Sequence, residues 1–169
     1  VGKYMLTIAG GLSIHFFIVL PLLFYLLTGI HPRKHFSAMS SALVTAFATS
    51  SSNATLPVTM RSIEHNAGVS NKVSSFVLPM GATINMDGTA LYECAGVIFI
   101  SQVLGIDLTI TQQFIIVITA LLASIGAAGI PSAGLVMIFI VTQAVGFQDA
   151  DVAVIIGTML AVDRPLDMM

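Results

Sequence analysis

From Leu108 to Gln148 the chain carries no charged side chain. A straight helix of that length, at about 1.5 Å per residue, would be roughly twice as long as one bilayer crossing requires. Its centre reads SIGAAGIPSAG, rich in glycine and interrupted by Pro131. Proline cannot donate a backbone hydrogen bond and kinks or ends a helix. The segment is thus expected to fall into two apolar arms of about 15 residues, each too short to cross. The shape that fits is a re-entrant hairpin over residues 108–147, which descends to mid-membrane, turns through a non-helical tip and returns.

Composition agrees with a bilayer as solvent. The 169 residues are 56% apolar and only 8% charged, whereas soluble domains carry about 25% charged residues. The net charge of −2 supplies no basic patch, so nucleic acid is not an expected partner. Cys94 is the single cysteine, which excludes a disulfide framework and a thiolate metal site. The sequence opens without a start methionine or signal peptide and stops within an apolar helical pattern. It is read as part of a longer membrane protein.

Other segments fill in the plan. A transmembrane helix is expected over residues 4–30, where His15 is the one basic side chain after Lys3. A second is expected over residues 73–105, and the start of a last one over residues 151–169. Residues 36–68 repeat the hairpin design around SSSNATLP. TAFATSSSNATLPVT, from Thr45, overlays TALLASIGAAGIPSA, from Thr119, at Thr, Ala, Ser, Ala and Pro. Each hairpin precedes a span carrying aspartate: Asp87 after the first, Asp163 and Asp167 after the second.

Charge sets the expected orientation. Arg33, Lys34, Arg61 and Lys72 flank the first hairpin, while Asp107, Asp149 and Asp151 flank the second without Lys or Arg. By the positive-inside tendency the first enters from the cytoplasm and the second from outside, with Lys3 on the wrong side. The expected fold is therefore an all-α membrane protein: transmembrane helices plus two oppositely oriented re-entrant hairpins forming an inverted repeat. Paired interrupted segments of this kind point to a transporter binding site.

The polar residues point the same way. A tip at membrane depth leaves backbone groups that only protein or a watery cavity can satisfy, and the helix ends there favour ions of either sign. Ser50, Ser51, Ser52 and Asn53 add hydroxyls and an amide. Asn85 and Asp87 would point about 200° apart on an intact helix, so the helix is expected to unwind at TINMDG, eased by Gly88. Their oxygens, with backbone carbonyls, suit a small hard cation. Na+ is expected, since Ca2+ normally takes several carboxylates.

SSSNATLPVTM, LPMGATINMDGTALYE, SIGAAGIPSAG and AVDRPLDM resemble motifs of the dicarboxylate/amino acid:cation symporters, the family of the excitatory amino-acid transporters. The likeness covers nearly the whole chain. It implies that residues 1–169 are a partial transport domain of a secondary active transporter, not an enzyme, moving solute by alternating access. It also implies a multi-pass protein of the plasma (cell inner) membrane and a homotrimer formed through helices outside this sequence. Na+ is the implied coupling ion, with no organic cofactor.

Site roles follow from the same resemblance. Na+ would be held by Gly81, Thr83, Asn85, Met86 and Asp87, together with Ser124, Ile125 and Ala127. Substrate would meet Ser50, Ser51, Ser52, Thr89, Ile130, Pro131, Ser132, Ala133, Gly134 and Asp167. Asp167 would pair with an amino group, so an amino acid is expected, L-aspartate or L-glutamate first. A neutral amino acid or a C4-dicarboxylate is the alternative within the family. Some relatives carry Arg where this chain has Ser50, and Arg164 is the charge available nearby. The Arg that reads an acidic side chain would fall beyond Met169. Glu93, in an apolar helix, is a candidate proton carrier.

Competing readings are weaker. Asn53-Ala54-Thr55 matches a glycosylation sequon but lies on a cytoplasm-entering tip. His31 and His35 in HPRKH fit a solvated interface better than a metal site. Asp87 with Asp163 could suggest an aspartyl protease, but a Gly-x-Gly-Asp motif is absent and that chemistry needs no hairpins. An ion channel with re-entrant pore loops is the stronger alternative class.

Overall fold

The computed structural model describes residues 2–127 and 129–168, and all regular structure among them is helical. The first helical run, Gly2–Thr28, is long and apolar enough to cross a membrane. It comprises α1 (Gly2–Ile14), a π turn at His15–Val19 and α2 (Leu20–Thr28). Pro21 explains the location of the π turn: it lacks the N–H that would bond Phe17, so the helix widens where its ladder is already broken. The run ends at Gly29, whose φ of 68° is the left-handed cap that glycine adopts without strain.

A short α3 (Pro32–Ala38) leads into α4 (Ser40–Thr49) and α5 (Ser52–His65), which pack on each other as a helical hairpin. α6 (Asn71–Ile84) packs on α5, and their joint is held by Glu64, which accepts from Asn71 Nδ2 at 2.8 Å and from the Ser74 hydroxyl. After a two-residue interruption α7 (Asp87–Leu104) continues. α8 (Ile110–Gly126) and α9 (Ala133–Ala144) form the second helical hairpin, and α10 (Asp149–Asp167) follows. A capping box starts α8: Gln112 N–H donates to Thr109 Oγ1 at 3.3 Å, and Thr109 N–H donates to Gln112 Oε1 at 3.0 Å.

The core lies where α1, α7, α8, α9 and α10 meet. Ile8, Val97, Ile100, Ile116, Ile138, Val141 and Met159 are buried there. Gly96 permits the α7 to α9 approach, because a Cβ on it would sit 2.7 Å from Ile138 Cδ1. The outer faces are the reverse of a soluble protein's. Leu6, Phe17, Leu26, Leu27, Phe76, Ile110 and Phe114 are all exposed apolar side chains. Such a surface suits lipid or further protein.

The overlay of the two tips does not carry into matching structural positions. Pro57 lies inside α5, whereas Pro131 precedes α9. The first hairpin turns at Ser50 and Ser51, close before its proline in sequence, and the second resumes helix only after Pro131. A proline near a helix start is tolerated more readily than one deep inside, so the shared residue does not fix a shared turn.

Candidate functional site

Both hairpin tips and the break between α6 and α7 converge on one cavity of about 250 Å³. Its wall includes Ser50, Ser51 and Ser52 from the first tip, Asn85, Met86 and Thr89 around the break, and Ile130, Ala133 and Gly134 from the second tip. Asp167 closes it from α10, with Ala46, Gly88, Gly129 and Met168 completing the lining. Ten of the residues expected at a binding site thus share one wall.

Local backbone chemistry shapes each contribution. Ser50 and Ser132 are the two non-glycine residues with positive φ among the described residues, at 51° and 60°, one in each tip. Serine meets a steric penalty there that glycine does not, and such outliers cluster at functional sites. Ser50 ends α4 with its N–H donating to Ala46 O at 2.8 Å, and its buried hydroxyl has no hydrogen-bond partner among the described residues. Ser51 caps α5 by accepting from Ala54 N–H at 3.2 Å, while its hydroxyl donates to Gly129 O at 2.6 Å. Asn53 N–H donates to the same carbonyl at 3.1 Å. These bonds join the two tips. A Cβ at Gly129 would lie 3.0 Å from Asn53 Oδ1, so glycine permits the close approach.

The helix is interrupted at Asn85 and Met86, within the TINMDG stretch where unwinding was expected. Gly88 is not at the break but in the first turn of α7. Asp87 opens that turn, where a carboxylate complements the helix dipole. It does not line the cavity. Its Oδ2 lies 2.9 Å from His15 Nε2, at the start of the π turn.

The other residues expected around Na+ are dispersed over the ends of α6 and α8. Asn85 N–H donates to Gly81 O at 3.1 Å, and the Thr83 hydroxyl donates to Met80 O at 3.0 Å. Ser124 Oγ donates to Leu121 O at 3.0 Å, and Ala127 N–H donates to Ser124 O at 3.2 Å. Ile125 is exposed. α6 and α8 touch, but of this set only Asn85 and Met86 line the cavity.

Pro131 and Ser132 also lie off the cavity wall, and Ser132 instead binds α10. Its N–H donates to Asp167 Oδ2 at 3.0 Å and its hydroxyl donates to Asp163 Oδ2 at 2.6 Å. Asp163 is 3% exposed, and its Oδ1 accepts from the Tyr92 hydroxyl at 2.7 Å. Tyr92 was not expected here, whereas the four-residue spacing of Asp163 and Asp167 puts both carboxylates on one face of a helix.

Glu93 is fully buried on α7, and neither carboxylate oxygen has a hydrogen-bond partner among the described residues. A buried carboxylate without a partner is costly, so this residue calls for a functional explanation more than its sequence context alone did.

Comparison with known proteins is unambiguous. The description Sodium:dicarboxylate symporter family matches residues 1–169. Excitatory amino acid transporter 3 of Mus musculus is 52% identical over 163 residues, which is 96% of this chain and 31% of the relative. Excitatory amino acid transporter 1 of Rattus norvegicus is 52% identical over 161 residues, or 95% of this chain and 30% of the relative. An excitatory amino acid transporter of Caenorhabditis elegans is 48% identical over 161 residues, with 95% and 32% covered. The chain thus spans about a third of the length of these curated relatives. A family of symporters leaves no place for the protease reading. The chain belongs to the sodium:dicarboxylate symporter family.

Proposed function

We propose that this chain forms the solute-binding core of a Na+-coupled symporter for an amino acid, L-aspartate or L-glutamate ahead of others, working by alternating access. The observation that carries the reading is the polar cavity closed by both hairpin tips, with Asp167 as the one carboxylate on its described wall. An α-amino acid presents an ammonium to such a carboxylate and a carboxylate to tip hydroxyls and N–H groups. The orphan Ser50 hydroxyl is a donor already in place. The relatives' names support an amino acid as solute. The preference for acidic ones follows the sequence resemblance.

In this reading the two hairpins are re-entrant, inserted from opposite faces of the plasma membrane. Na+ binds at the α6 to α7 break with Asp87, and the protein works as a homotrimer. Release of Asp87 from His15 would free its carboxylate for the ion. Glu93 carries a proton.

Titration calorimetry on the purified full-length protein tests this. L-aspartate should release or take up heat in saturable fashion with Na+ present and not with choline in its place. Asp167→Ala should abolish the signal, since a desolvated ammonium without its counter-ion loses several kcal/mol. Saturable binding of succinate with none of aspartate, glutamate or serine would refute the amine role of Asp167.

A further inference from the structure

We propose that Ser132 anchors the second tip to α10 through Asp163, and that Asp163 is a positioning residue which aligns Asp167 for the solute's amino group; the second half of this statement rests on the function proposed above. Three hydrogen bonds carry it. The Tyr92 hydroxyl holds Asp163 Oδ1 at 2.7 Å, which fixes the carboxylate's plane. The Ser132 hydroxyl then takes Oδ2 at 2.6 Å, and the Ser132 N–H takes Asp167 Oδ2 at 3.0 Å.

One residue of the tip therefore grips two carboxylates a helical turn apart. Asp163 is buried and off the cavity wall, whereas Asp167 is on it. The division of labour follows from that placement. Asp163 is committed to protein donors through both oxygens. Asp167 gives only Oδ2 to the tip, and its Oδ1 accepts no hydrogen bond from the described residues. An ammonium can join Asp167 through Oδ1 while the tip stays in place.

The backbone makes the arrangement selective. At φ 60° Ser132 aims its N–H and its hydroxyl toward the same helix, a conformation costly for any side chain and offset here by two charge-assisted bonds. Losing the hydroxyl should leave the N–H contact to Asp167 as the one hydrogen bond from the tip to α10 among the described residues. The tip should then open more often without solute, and the solute should meet a less ordered partner.

The test uses the full-length protein in a cysteine-free background carrying Ile130→Cys, on the exposed part of the tip. Labelling by a membrane-impermeant maleimide is timed with no Na+ and no solute. Ser132→Ala should speed labelling about tenfold, in line with loss of one hydrogen bond to a charged acceptor. Ser132→Gly should do the same, because it also lacks the hydroxyl although it relieves the left-handed backbone. Asp163→Asn, which keeps the shape and weakens the acceptor, should give a smaller increase. In the same variants without the reporter cysteine, the KM for L-aspartate should rise about tenfold while the maximal rate changes less than twofold. Unchanged labelling in Ser132→Ala, or wild-type labelling in Ser132→Gly, would overturn the anchor. Faster labelling with no aspartate uptake in any variant, wild type included, would uphold the anchor and remove only the amino-acid reading.

Discussion

Two acids within apolar stretches carry the proposed chemistry at the residue scale. Asp87 stands at the break with His15 as its partner, so replacing it by Asn keeps shape and removes charge. We expect Asp87→Asn to raise the Na+ concentration for half-maximal uptake at least tenfold, read from Na+ titrations of uptake. An unaltered Na+ dependence would exclude Asp87 as a ligand. Glu93 has the opposite setting, fully buried with no partner among the described residues. Glu93→Gln imitates its protonated form, so net uptake should lose its pH dependence while solute exchange persists. A wild-type protein with pH-independent uptake would remove the proton role. Asp87 and Glu93 stand out in the sequence because charge inside an apolar run is conspicuous. The tertiary partners of the aspartates do not. His15 is 72 residues from Asp87, and Tyr92 is 71 from Asp163, so only tertiary folding brings them together.

The helix break is the best-read feature at the scale of elements. The chain is non-helical at Asn85 and Met86, within the stretch expected to unwind, yet the two polar groups do not share one site: Asn85 lines the cavity and Asp87 meets His15. The tips were read less well. Glycines around Pro131 suggested where the second tip would bend, yet its positive φ falls on Ser132. Composition marks a turn but does not say which residue takes the strain, because that depends on hydrogen bonds to α10. Packing between elements is testable separately. A Cβ on Gly96 would lie 2.7 Å from Ile138 Cδ1, and Ile138 is fully buried, so it has no room to yield. Gly96→Leu should destabilise the protein by about 1–3 kcal/mol, the usual cost of overpacking, and lower the melting temperature in detergent. Gly157→Ala, with nothing within 4 Å of the new Cβ, should be neutral or slightly stabilising. Equal melting temperatures for the two variants would contradict the close approach of α7 and α9.

The arrangement of the whole molecule separates a polar interior cavity from an apolar exterior. Serines, Asn85, Thr89 and Asp167 line the cavity, while leucine, isoleucine and phenylalanine dominate the outside. In lipid this inversion is stable, since polar groups are tolerated where they line a cavity or meet a partner. A symporter needs a bounded place for its solute, and the cavity between the two tips is compatible with membership in such a family. The channel reading and the transporter reading differ in one respect above all: a symporter moves solute uphill, driven by an ion gradient. Full-length protein reconstituted into K+-loaded liposomes and diluted into Na+ buffer should therefore accumulate radiolabelled L-aspartate well above the outside concentration. The accumulation should collapse when the Na+ gradient is dissipated and be absent in Asp167→Ala. Equilibration of aspartate to the outside level, whatever the Na+ gradient, would contradict coupled transport.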